Sequence, residues 1–223
     1  MSSVESAAEW AKNADAWVQQ DLALLTEADG WRAIKAAKPV ELWSRPMPDD
    51  PNHLFRWRLP VVDAPAEVVF EDFVHGILAH HQEWTKEFVG GRVVEEGVLG
   101  TRILHQRFNP GIPGVAPRDL VSIEVVRDLG TGVKIASYRS VDRRVAREPG
   151  VERIDWWGAA LSRTLPDGAH SELIYLDREN QGGWFPTWLM NRMMPGYLVL
   201  QAQLVQRFFA QQRGAAVPGL RPQ

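Results

Sequence analysis

An α+β fold in a single domain is what this sequence predicts, and three observations carry the prediction. Apolar residues recur at helical spacing near both ends of the chain. Between those ends the period drops to two over most of the intervening segments, as in half-buried strands. The 223 residues show no internal repeat and no clear linker, and a chain of that length buries a sizeable core in one domain. An antiparallel sheet must hide a face against the helices, which gives the α+β class.

The first predicted helix covers residues 3–28. Val4, Ala7, Ala8, Trp10, Ala14, Trp17, Val18, Leu24 and Leu25 fall at three-, four- and seven-residue steps, and Asp29-Gly30 supplies the stop. Glu5, Glu9, Asp15 and Asp21 are assigned to its polar face, which argues against a membrane-surface helix. From Lys38 the period changes. Val40 to Arg45 and His53 to Val62 read as strands joined by the turn-rich segment Pro46 to Pro51. Pro65 opens a second helix that runs to about His81, with Asp63 close enough to help cap it. Phe70, Val74, Ile77 and Leu78 form its apolar side. Six strands follow, at about 92–96, 100–108, 119–128, 132–139, 151–163 and 171–178. Pro186 begins a long helix through about Gln212, which Pro195-Gly196 should kink. The tail, residues 213–223, is rich in Gly and Pro and is expected to be mobile.

Composition narrows the function. Hydrophobic residues make up 45% and charged residues 24%, ordinary for a globular protein. A formal net charge of −3 without a basic run gives no general attraction to nucleic acid or to an anionic membrane. There is no cysteine, which removes disulfides, thiolate metal sites and a cysteine nucleophile and suits a reducing compartment. No signal peptide is visible and no apolar run approaches the ~18 residues of a membrane span. A soluble, cytoplasmic protein is the expectation. The ten tryptophans are expected to fill the core.

No nucleophile elbow, phosphate-cradling glycine loop or zinc-protease motif is present, and Gly97-Val-Leu-Gly100 reads as a turn. His75, His80, His81 and Glu83 cluster near the end of the second helix. Adjacent histidines on a helix point about 100° apart, so an exposed helix terminus is expected there and no metal. His105 and Glu124 are more informative. Their strands flank Asn109-Pro-Gly-Ile-Pro-Gly-Val-Ala-Pro117, and a hairpin folded near Gly114 and Val115 sets one opposite the other. Alternation brings Arg107, Ser122 and Leu120 near the same face. Buried, the imidazole and carboxylate would need each other; on a solvated face they make a surface contact.

From Trp31 to about Gln211 the sequence resembles the START family, the steroidogenic acute regulatory protein-related lipid transfer domains. Ala116-Pro-Arg-Asp-Leu-Val-Ser-Ile-Glu124 is similar to the family's Pro-Arg-Asp-Phe-Val stretch. Ser140-Val-Asp142 with Pro149-Gly-Val-Glu-Arg153 resembles its next signature, and Gly183-Trp-Phe-Pro-Thr-Trp-Leu-Met-Asn191 the opening of its last helix. The resemblance implies a helix-grip fold: a curved antiparallel sheet wrapped around the long C-terminal helix, enclosing a lipid-sized tunnel. It divides the chain into an N-terminal helix packed on the domain (1–30), the lipid-binding domain (31–212) and the tail. It implies non-catalytic binding and intracellular transfer of one lipid or other hydrophobic molecule, without cofactor or nucleic acid. A monomer with transient membrane-surface contact is expected.

By position, the cavity-facing carboxylate of the family's steroid carriers falls on His105 and its partner arginine on Glu124, so acid and base are exchanged here. Trp156 and Ala159 fall on family positions near the cavity wall, and Met190, Met194, Tyr197, Gln201 and Val205 on the inward face of the final helix. Arg118 is read as tying down the turn. With Arg107 and Ser122 these form the candidate ligand-binding set. Two rivals remain: a polyketide aromatase or cyclase of the wider helix-grip superfamily, and a lipid-sensing module that acts through a protein partner.

Overall fold

The computed structural model describes residues 7–97 and 100–213, with their side chains except those of residues 7–12 and 143. Val4, Glu5 and the tail from 214 onward lie outside the described residues, while Ala7, Ala8, Glu9 and Trp10 fall in a described helix without their side chains.

Helix α1 (Ala7–Thr26) leads into β1 (Arg32–Ile34), β2 (Glu41–Met47) and β3 (Asp50–Val62). A broken helical segment follows: α2 (Ala66–Phe70), a π-helical turn (Glu71–His75), α3 (Ile77–His80) and a 3-10 turn (His81–Glu83). Strands β4 (Phe88–Glu96), β5 (Thr101–Phe108), β6 (Arg118–Gly130), β7 (Val133–Ser140), β8 (Glu152–Arg153), β9 (Asp155–Thr164) and β10 (Ser171–Asn180) precede α4 (Thr187–Gln212). The strands form one curved sheet in the order β1-β2-β3-β10-β9-β7-β6-β5-β4, antiparallel along that path, with β8 parallel to the start of β6. The fold is the expected helix grip.

Both faces of the sheet are covered. On the inner face, Phe55, Trp57, Leu59, Leu173, Tyr175 and Ala160 pack under α2 and under Leu198, Ala202, Val205 and Phe209 of α4. On the outer face, Leu54, Ile103, Val121, Ile123, Leu161 and Leu176 pack under Ala14, Val18 and Leu25 of α1. Asp21, assigned to a polar face, is instead fully buried and anchors α1. Arg139 donates to both of its carboxylate oxygens, at 2.8 and 3.0 Å, and Trp157 Nε1 donates at 2.8 Å. A buried acid is tolerable with three charge-assisted donors. At the other end of α1, Arg56 donates to the carbonyls of Leu24 (3.0 Å) and Glu27 (2.7 Å), closing groups that a helix end leaves open.

Four boundaries differ from expectation. β1 is too short to give a periodic signal. The second helix breaks at Gly76, where a Cβ would lie 2.8 Å from the Asp72 carbonyl oxygen, closer than real contacts. Asp63 makes no cap there; it accepts from Arg213 at 3.1 Å. The strand expected over 151–163 splits at Ile154, because β8 pairs with β6 while β9 pairs with β7 and β10.

Candidate ligand cavity

The C-terminal helix does not fill the grip. A cavity of about 200 Å³ lies between α4 and the open end of the sheet. Met190, Met193, Met194 and Tyr197 of α4 form one wall, and Pro110, Ile112 and Val115 of the β5–β6 connection form another. A second void of about 60 Å³ adjoins it deeper in the protein, sharing Thr85, Phe108, Glu179 and Tyr197 and reaching Trp156, Asp177 and Gln201. The flexible thioethers of the methionines suit a wall that must conform to an occupant.

Alternation along the strands places the polar groups. Tyr175, Asp177 and Glu179 point inward from β10, and Gln106 from β5. Trp156 folds back over Gly158, where a Cβ would lie 2.3 Å from the indole, so this approach requires glycine. The indole Nε1 thereby donates to Asp177 at 2.7 Å. Burial raises the pKa of the Asp177 carboxyl, and burial with the neighbouring Asp177 charge raises that of Glu179. His81 was expected at an exposed terminus; it is buried instead, against Phe88 and Phe108, with Nδ1 2.8 Å from Gln106 Oε1. That burial drives its pKa down to about 4, so the imidazole is neutral at pH 7.

A pH effect on stability follows. Unfolded, the imidazole takes a proton near pH 6.5; folded, near 4. Between those values the unfolded state holds more protons, so stability falls as the pH drops through the window. The full loss is about 3 kcal/mol. Chemical denaturation of wild type and His81→Phe from pH 7 to 4 should show the variant without this component. Parallel curves would refute the assignment.

The candidate residues separate by face. Trp156, Met190, Met194, Tyr197 and Gln201 line the two voids. Val205 lies in the inner core beyond them. His105 and Glu124 do not meet: His105 pairs with Val121, and Glu124 with Arg102. The hairpin closes three residues away from the expected register, and an odd offset turns the two side chains to opposite faces. On the outer face His105 Nε2 lies 3.0 Å from Asp119 Oδ2, and Asp119 accepts from Arg153 Nε and Nη2 at 2.7 and 2.8 Å. Arg107 is also on that face, exposed and paired with Glu148, and Ala159 is in the outer core. Glu124 is inward but sits beneath the broken helix, held by Arg102, whose Nη2 donates to the Val74 carbonyl at 2.8 Å. Ser122 is inward and buried on the same strand, outside the cavity lining.

Sequence reasoning passed over Thr85, Glu87, Asp177 and Glu179. The alternation Leu173, Tyr175, Asp177, Glu179 was a usable signal, since it continues an inward apolar series with acids. Arg118, read as a turn residue, donates to the Ala116 carbonyl and also lines the cavity. Among the described residues no group of three or more His, Asp or Glu is placed to hold a metal ion. No helix among them is long and apolar enough to cross a membrane.

Comparison with known proteins agrees with this architecture. The fold is similar to human StAR-related lipid transfer protein 5, with a TM-score of 0.82 at 18% identity over 93% of this chain and 100% of that one. It is similar to a fragment (25–204) of the STAR-related lipid transfer protein from Xanthomonas axonopodis, with 0.71 at 20% identity over 82% and 100%. It is also similar to the lipid transfer and protein localization domain of human StarD13, with 0.71 at 18% identity over 93% and 98%. A search of curated protein sequences finds no match. The family model described as START domain matches residues 14–213, so nearly the whole chain, from α1 to the end of α4, belongs to the START family.

Proposed function

We propose that this protein binds one lipid or other hydrophobic small molecule between α4 and the sheet and carries it between membranes in the cytoplasm, without chemistry. The observation that carries the reading is the methionine-walled cavity under α4. Trp156, Met190, Met194, Tyr197 and Gln201 are the proposed contacts. Each methylene buried contributes ~0.8 kcal/mol, so a hydrocarbon chain supplies affinity without polar contacts. A void of about 200 Å³ is below the ~300 Å³ at which ligand pockets begin, so loading requires the methionines and the β5–β6 connection to yield.

Membrane contact is supported by the cavity mouth. Trp184 and Trp188 are 69% and 68% exposed beside the lining residues Phe185 and Met190. Tryptophan favours the membrane–water boundary, with its ring among headgroups. The aromatase or cyclase reading asks for an imidazole poised over the ligand. His81, which lines the deeper void, is bonded to Gln106, and the His105–Asp119 pair lies on the outer face.

Native mass spectrometry of gently purified protein, followed by solvent extraction, is expected to find one hydrophobic molecule per chain. Turnover of a polyketide chain would overturn the non-catalytic reading. In the same preparation, Trp184→Ala and Trp188→Ala should each weaken partitioning onto vesicles by roughly tenfold. Unchanged partitioning would remove the membrane-facing role of that surface.

A further inference from the structure

The charges around the two voids do not balance. Asp177 and Glu179 on β10 and Glu87 after the 3-10 turn give three carboxyl side chains. Among the described side chains lining the voids, Arg118 is the one fixed cation, since His81 is held neutral. Part of the Arg118 guanidinium is already committed to the Ala116 carbonyl.

A second feature points the same way. Gln201, only 8% exposed, reaches into the deeper void from α4. Its Nε2 lies 3.4 Å from Thr85 Oγ1, while its Oε1 has no hydrogen-bond partner. A buried carbonyl oxygen without a donor costs ~1–3 kcal/mol, so the site asks for N–H or O–H from an occupant. Two further acceptors adjoin it, the carboxyls of Asp177, which takes the Trp156 N–H, and of Glu179; the Tyr175 and Tyr197 hydroxyls line the same void and can give or take a hydrogen bond. A space of about 60 Å³ exceeds the ~10–15 Å³ that one water needs and has room for a small head group.

We propose that the cavity selects amphiphiles carrying a basic amine, with the ammonium seated against Asp177, Glu179 and Gln201 Oε1 and the hydrocarbon against the methionines of α4. This rests on the carrier reading above and names its ligand class. An alkylammonium is compact and brings up to three donors, which match the acceptors present. Its charge offsets a neighbouring pair of acids, Asp177 buried and Glu179 half-buried, that otherwise resist ionising together. A carboxylate head would add to the negative charge and donate nothing. An alcohol would supply one donor and no charge.

The proposal sets a direction with pH. Asp177 and Glu179 titrate upward of the usual carboxylate range because of burial. The other groups facing the site hold their state from pH 5 to 8: His81 is neutral, Arg118 is charged, and Tyr175 and Tyr197 are protonated, their pKa values raised by burial. Glu87 also faces the outer void. Raising the pH over that range ionises the acid pair while an alkylamine remains cationic, so amine affinity rises.

Dodecylamine, dodecanol and dodecanoate separate the head groups at constant chain length. Each is titrated against delipidated full-length protein carrying a displaceable fluorescent fatty probe. The amine is expected to bind at least tenfold more tightly than either companion at pH 7.5, with the preference shrinking at pH 5. Asp177→Asn and Glu179→Gln should each reduce the amine-to-alcohol ratio. Alcohol or carboxylate binding that equals the amine overturns the head-group assignment and leaves the carrier reading standing. An amine preference that does not change with pH overturns it too, without any variant having to fold. Failure of all three to displace the probe overturns the head-group assignment, and failure of the probe itself to bind overturns the carrier reading as well.

Discussion

Asp119→Ala is expected to lower the free energy of unfolding by about 3–5 kcal/mol, one of the largest effects available from a single side chain here. Asp119 is buried between β5 and β8, where it accepts from both arms of Arg153 and contacts His105. Removing it leaves a buried guanidinium whose remaining partners are the Asp142 side chain at 3.1 Å and the carbonyls of Asp142 and Val145. Breaking a buried pair from one side costs more than replacing both members, because the survivor stays desolvated. The double variant Asp119→Leu with Arg153→Met should therefore recover much of the loss. Urea denaturation of the three proteins tests this. A single-variant loss under ~1 kcal/mol, the value of an exposed pair, would show that the contact locks nothing.

Joining the β5–β6 connection to α4 is expected to bring lipid exchange down to the level of a protein-free control. Ile112 and Met193 both line the cavity and are 54% and 52% exposed. The chain contains no cysteine, so Ile112→Cys with Met193→Cys presents the sole pair for a short thiol cross-linker. If loading requires these walls to part, the cross-linked protein retains what it holds, and cleaving the linker restores exchange. Transfer of a fluorescent lipid between vesicles reads the result. Equal rates before and after cross-linking would place the exit elsewhere.

Much of this fold could be read from the chain because its helices each have one covered stripe. Met190, Met194, Leu198, Gln201 and Val205 repeat at helical spacing and are buried together. The error over His105 and Glu124 has a physical origin. β5 and β6 are buried on both faces over most of their length, so polar and apolar residues no longer alternate in a way that fixes register. The turn offered little help. Its nine residues from 109 to 117 hold three prolines and two glycines and close wider than a tight hairpin. The cavity acids were legible in part: Asp177 continues an inward strand pattern where an apolar residue would ordinarily stand, and the space beside it gives that departure its meaning. Arg118 shows the limit from the other direction, since holding a turn and lining a cavity are compatible roles for one long side chain.

The anchoring of α1 through Asp21 bears on how the interior changes size. With Arg139 and Trp157 clamped to that acid, the convex side of the sheet carries a fixed brace, like the spine of a bound book. Any swelling to admit a guest must then fall on the opposite cover, where α4 rests on methionines. Loosening the spine with Asp21→Asn should let the convex side flex as well, which faster amide hydrogen exchange in α1 would register.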